Sequence, residues 1–92
     1  MISLRRSPGV LSRRVGRDVL LAPPESEDFE RLSETAASAW ELLESPRTVS
    51  ELIETLAALY EVTPATIALD VERLVEELLR RGAIERVGHS NG

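Results

Sequence analysis

Cysteine and lysine are absent from the 92 residues, and tryptophan, tyrosine, phenylalanine and histidine occur once each. Without cysteine, neither a disulfide framework nor a thiolate metal site can hold the chain, so packing of Leu, Val, Ile and Ala must form the core. The lone His89 stands in a tail of Gly, Ser and Asn, where an incidental residue is expected rather than a general base. Asp70 and Glu77 lie seven residues apart with no His partner, which is ordinary spacing for a solvated helix face. The glycines at 9, 16, 82, 88 and 92 match neither phosphate-loop nor dinucleotide spacing. The chain is therefore not expected to be an enzyme, and no cofactor or metal is expected. No apolar run approaches the roughly 18 residues of a membrane span. The opening MISLRRSPGVLSRR also lacks the apolar core and cleavage site of a signal peptide. The expectation is a cytoplasmic protein with no membrane partner.

Hydrophobic residues make up 42% of the chain, enough for one small core and not for two. We expect a single domain over residues 1–88 and a flexible tail over 89–92. The net charge is −5 and unevenly spread. Arg5, Arg6, Arg13, Arg14 and Arg17 fall in the first 17 residues, where no acid occurs. The remainder holds six Arg against sixteen acids, a balance of −10, so the helical region is strongly acidic.

Residues 10–14 and 17–22 are short β-compatible segments around Val15-Gly16 and predict a hairpin. Pro23 and Pro24 end the second segment, and 28–32 reads as a third strand with Glu30 and Leu32 on one face and Phe29 and Arg31 on the other. Ser33 is the expected N-cap of a helix over 34–44, which Pro46 ends. Thr48 and Glu51 form a capping-box pattern opening a second helix over 49–60. Thr63-Pro64 opens a third helix, running to about Arg81 and stopping at Gly82. That helix carries two apolar stripes, Ile67, Val71, Leu74, Leu78 and Ala68, Val75, Leu79, one for the core and one to line a groove. Residues 83–87 predict a short terminal strand or wing.

Helix, sharp stop and capped helix in "LSETAASAWELLESPRTVSEL" form a helix-turn-helix. In a DNA-reading version the third helix enters the major groove behind Arg, Lys, Asn or Gln. Here its first half, residues 64–72, has no basic or amide side chain and two acids. An acidic helix forfeits the counterion release that drives phosphate binding, so nucleic acid is not the expected partner.

The quoted stretch resembles the PqqD-like family, the precursor-peptide recognition elements of ribosomal natural-product (RiPP) pathways. The match runs through Leu32, Ala36, Trp40, Leu42, Thr48, Val49, Glu51 and Leu52, then Asp70-Val71, Leu74, Leu78, Gly82 and Ile84, with "DVLLAPP" ahead of them. It departs at Ser33 for Asn, Ala39 for Ile, and Glu44-Ser45-Pro46 for an Asp-Gly turn. The resemblance implies an α+β fold, a three-stranded antiparallel sheet followed by three helices in winged helix-turn-helix order. It further implies non-catalytic binding of a precursor's leader peptide, added as a strand on the third strand's edge against the third helix. The residues so implicated are Asp28, Phe29, Glu30, Arg31 and Leu32 on the strand, and Ala68, Val71, Glu72, Val75 and Leu79 on the helix. An exposed edge offers unpaired N–H and C=O groups to an extended peptide, and an apolar helix face adds side-chain selectivity.

Among stand-alone members, the lasso-peptide type is the first expectation, with a transglutaminase-like leader peptidase and a cyclase as partner enzymes. A peptide chaperone for a radical SAM enzyme, of the PQQ-pathway type, is the second. A winged-helix DNA binder and a dimerisation module using the same edge are the readings from other classes.

Overall fold

The hairpin forms where the sequence places it. In the computed structural model, which describes residues 2–88, β2 (Leu11–Val15) and β3 (Asp18–Ala22) pair antiparallel from Leu11↔Ala22 to Val15↔Asp18. The two-residue loop has φ 64° at Gly16. A positive φ at the first loop position alone suits the right-handed twist of the flanking strands and favours glycine there. Arg17 therefore sits in the turn and not in the strand. The next strand, β4 (Glu30–Leu32), pairs with β3 as Val19↔Leu32, Leu20↔Arg31 and Leu21↔Glu30, giving the order β2-β3-β4. It begins two residues later than expected. The Ser26 hydroxyl accepts from the Asp28 N–H at 3.2 Å and donates to the Asp28 carbonyl at 3.3 Å, holding that backbone in a turn.

Three helices follow: α1 (Thr35–Leu42), α2 (Val49–Leu59) and α3 (Pro64–Arg80). Ser33, the N-cap expected from the sequence, does not cap α1. The N-cap is Glu34, at φ 52° and ψ −121° with no side-chain cap bond. The Ala36 N–H instead donates to the Ser33 carbonyl at 3.1 Å, closing a tight turn with Glu34 at its first central position. The other end of α1 is capped by cations from elsewhere: Arg6 Nη2 donates to the Trp40 carbonyl at 2.6 Å and Arg47 Nε to the Leu42 carbonyl at 2.7 Å.

The capping box on α2 is complete. Glu51 N–H donates to Thr48 Oγ1 at 3.1 Å and Thr48 N–H to Glu51 Oε1 at 3.0 Å. The Thr48 backbone N–H, then the Thr48 hydroxyl, hold the Glu51 carboxyl below its ordinary pKa. At the end of α3, Gly82 (φ 75°) closes a Schellman motif: Ala83 N–H donates to the Leu78 carbonyl and Gly82 N–H to the Leu79 carbonyl.

A second sheet joins the two ends of the described chain. β1 (Ile2–Arg6) pairs with β5 (Ile84–Gly88) from Ile2↔Gly88 to Arg6↔Ile84, and the opposed Arg5 and Glu85 bond at 2.7 Å. β1 also bridges to the α1–α2 connection, where Leu4 and Arg47 exchange backbone bonds of 2.7 and 3.0 Å. β5 is the expected terminal strand shifted by one residue, whereas β1 has no counterpart in the sequence reading. The expected tail over 89–92, with His89, lies outside the described residues.

Trp40, Leu4, Leu21, Leu43, Leu52, Leu56, Leu78 and Val71 are the largest fully buried side chains, and one core joins the inner face of the β2-β3-β4 sheet to all three helices. No helix among the described residues is long and apolar enough to cross a membrane.

Candidate functional site

β4 is the last strand of its sheet, so one side is bonded to β3 and the other is an open edge among the described residues. Its alternation is as the sequence requires. Leu32 turns into the core, Glu30 lies on the same face, and Arg31 projects from the outer face, where its Nε stands 3.2 Å from Asp18 Oδ2. Phe29, just ahead of the strand, is 62% exposed, although large aromatic side chains are normally well covered.

The shoulder of α3 that meets β4 is marked by an ion-pair chain. Arg81, at the C-cap of α3, pairs with Glu30 of β4, and its Nε lies 2.5 Å from Glu77 Oε1 one turn back. At 3.6 residues per turn, the side chains in line with Glu77 and Arg81 are Leu74 and Asp70. Ala68, Glu72 and Leu79 lie on the opposite shoulder. Val71 and Val75 lie between the two shoulders, buried in the core with Ile67 and Leu78. The helix-side set expected from the sequence is thus divided: two members are core, Ala68 and Leu79 are half-buried, and Glu72 is exposed.

Cavities stand at both ends of β4. Beside Glu30 a cavity of about 280 Å³ is lined by Pro23, Pro24, Ser26, Asp28, Glu30 and Arg81. Beyond Leu32 another, of about 440 Å³, is lined by Arg17, Asp18, Ser33, Glu34 and Tyr60. Tyr60 ends α2, and its hydroxyl lies 2.8 Å from Ser38 Oγ. β4 therefore starts beside the C-terminal end of α3, and the cavity beyond its other end is walled by Tyr60 at the end of α2. An extended segment laid on the open edge would reach a cavity at each end.

Among the described residues, no cluster of His, Asp and Glu is placed to hold a metal ion. Asp28, Glu30 and Arg81 share the first cavity, and Glu77 also pairs with Arg81.

Residues 18–84 match the family described as Coenzyme PQQ synthesis protein D (PqqD). The chain belongs to the PqqD family. Two solved structures share its architecture. One is TbiB1 in complex with the TbiA(beta) leader peptide, at TM-score 0.79 and 22% identity, covering 95% of this chain and 99% of that one. The other is the PqqD truncation of Methylobacterium extorquens PqqCD, described as a functional, stand-alone RiPP recognition element. It matches at TM-score 0.73 and 26% identity, covering 91% of this chain and 89% of that one. No curated protein matches the sequence. The PqqD match spans β3 to the start of β5 and contains all of β4 and α3. β1 and β2 lie outside it.

Sequence reasoning passed over Asp70, Leu74, Glu77 and Arg81 as a group. The available signal was their i, i+4, i+7, i+11 spacing, which the two purely apolar stripes outranked.

Proposed function

We propose that this PqqD-family chain is a non-catalytic recognition element that binds the leader segment of a ribosomal precursor peptide as an added strand on β4. The added strand satisfies the open backbone groups of residues 30–32, while Phe29 and the Asp70, Leu74, Glu77 and Arg81 shoulder of α3 supply side-chain contacts. Asp28 and Arg31 flank the path; Leu32, Val71 and Val75 set the groove's floor from within the core. Ala68, Glu72 and Leu79 play no direct part in this arrangement. The observation that carries the reading is the open β4 edge, tied at Glu30 to the C-terminal end of α3 by Arg81. The leader-bound state of TbiB1 and the recognition element of M. extorquens PqqCD support it by analogy of fold and family.

The bound precursor is delivered to a leader peptidase of transglutaminase-like type and to a cyclase in lasso-peptide maturation, in the cytoplasm. The replacement of the family's Asp-Gly turn by Glu44-Ser45-Pro46 favours that setting over a chaperone for a radical SAM enzyme. An acidic α3 argues against a nucleic-acid partner.

The test is fluorescence anisotropy with the labelled leader of the neighbouring precursor gene, joined to amide chemical-shift mapping. We expect a dissociation constant at or below the micromolar range, about −8 kcal/mol, with the largest shifts at residues 29–32 and along α3. An absence of saturable binding would reject the proposal. Binding that leaves the β4 amides unmoved would reject strand addition.

A further inference from the structure

The β2-β3-β4 sheet has a second open edge, of opposite electrostatic character. Among the described residues β2 is bonded only to β3, and all five of its residues are exposed. Its outer face carries Leu11, Arg13 and Val15 beside the half-buried Leu20 of β3, and Leu20 lies opposite Arg31 of β4. Leu11 is 65% exposed and Val15 41%, so two apolar side chains flank Arg13 on one solvent-facing surface.

Arg13 and Arg14 place two positive charges on this edge, with Arg17 in the adjoining turn, in a chain whose net charge is −5. The neighbouring acids are already engaged: Asp18 faces Arg31 at 3.2 Å, and Glu41 lies 3.8 Å from Arg14 Nη1. Arg13 and Arg17 have no carboxylate partner among the described residues.

Charges on an edge strand serve in many proteins to prevent edge-to-edge association. That role accounts for Arg13 and Arg14 but not for Leu11 and Val15, which add exposed apolar surface where such protection calls for none. A second copy of the chain is a poor occupant. A symmetric antiparallel pairing of β2 centred on Arg13 or Arg14 sets that arginine against its own counterpart, and directly opposed like charges destabilise a ladder. Both features suit a strand of different composition, with carboxylates opposite Arg13 and Arg14 and apolar side chains opposite Leu11 and Val15.

We infer that the β2 edge is a docking site for an acidic, extended segment of a partner protein, paired as a strand on the opposite side of the sheet from β4. The inference does not depend on what β4 binds. Strands added at β2 and β4 would lie four spacings apart, roughly 19 Å. Both edges can therefore be filled together, and one small sheet can hold a peptide and a second protein at once.

The probe is the synthetic peptide Thr-Val-Glu-Glu-Thr-Val-Thr, with Thr-Val-Lys-Lys-Thr-Val-Thr as its charge-reversed control, titrated at millimolar concentration into the isotope-labelled chain. We expect the acidic peptide to shift the amides of residues 11–15, to spare those of 30–32, and to bind at least fivefold more weakly when sodium chloride is raised from 50 to about 300 mM. The Arg13→Glu, Arg14→Glu double variant should lose these shifts and keep its helical circular dichroism. Leu11→Thr with Val15→Thr, which removes no charge, should weaken binding several-fold and provides a second reading should the double Glu variant unfold. The inference is overturned if the amides of 11–15 do not move, if the lysine peptide moves them equally, or if the shifts gather on β4.

Discussion

The guanidinium of Arg6 lies 4.5 Å from the centroid of the Trp40 ring and donates a 2.6 Å hydrogen bond to the carbonyl of that same residue. One side chain from β1 thus both stacks on the largest core residue and caps the end of α1. Cation–π contact and a charge-assisted hydrogen bond each contribute on the order of 1–2 kcal/mol in a partly buried setting. Arg6→Ala should lower stability by about 2 kcal/mol, read as an earlier urea midpoint with an unchanged slope. Trp40 is the sole tryptophan and supplies the fluorescence signal. Arg6→Lys should recover only part of the loss, because an ammonium cannot lie flat on the ring while reaching the carbonyl.

Asp70 and Glu72 stand two residues apart on α3 and on opposite shoulders, both exposed. Asp70→Trp should obstruct the β4–α3 groove and weaken leader binding more than tenfold, about 1.4 kcal/mol. Glu72→Trp should change it by less than twofold. Anisotropy titration of the pair distinguishes the shoulder marked by Glu77 and Arg81 from its opposite, and equal effects would show that the groove lies elsewhere.

Val75 is 5% exposed and packs in the core. Val75→Asp should therefore act on folding and not on recognition alone, since an unpaired buried carboxylate costs roughly 3 kcal/mol or more. Circular dichroism should show an unfolded or markedly less stable chain. A folded variant with normal stability would remove Val75 from the core.

Glu34 holds φ 52° and ψ −121° at a turn position that glycine adopts without steric cost. Strain of this type is worth about 1–3 kcal/mol, part of which is returned through the greater freedom of glycine in the unfolded chain. Glu34→Gly should raise stability by about 1 kcal/mol and the melting temperature by roughly 4–8 °C for a domain of this size. Scanning calorimetry measures it, and Glu34→Ala should give no such gain.

The Glu51 carboxyl is held below its ordinary pKa by the Thr48 backbone N–H and then by the Thr48 hydroxyl. A carboxyl whose folded pKa is depressed adds stability above its unfolded pKa and loses it as pH falls through the folded value. Glu51→Gln should therefore flatten the acid limb of the stability profile and leave a smaller difference from the parent at low pH than at pH 7. Thr48→Ala should cost about 1 kcal/mol at pH 7 through loss of the cap. Urea midpoints taken across the acid range test both.

What was readable in the sequence follows the range of each interaction. Thr48 and Glu51, Gly16, and Gly82 after Arg81 act within a turn or two of themselves, and each produced its element within a residue or two of expectation. β1 depends on β5, some 80 residues away, and ISLRR has no local pattern that reports so distant a partner. α1 was legible as a helix from Ala37, Trp40 and Leu43. Its cap was not, because a Ser in the right place proved to act through its carbonyl and the strained Glu34 took the N-cap position. The groove was half legible. The alternation along residues 29–32 assigned Glu30 and Arg31 to opposite faces, as the structure has them. On α3, Val71 and Val75 fell in different apolar stripes, yet a stripe about 100° wide buries both. Only the tertiary pairing of Arg81 with Glu30 identifies the shoulder that meets the sheet.

The pairing of Ile2 with Gly88 brings the first and last described residues side by side. A protein sequence spliced in through those two positions would enter and leave at a single point, without stretching the sheet or helices between them. The same adjacency allows the chain to be reopened: circular permutants with a short linker across this seam should keep all five strands and three helices, and each new opening chosen at an exposed turn such as residues 16–17 would leave β4 and α3 intact.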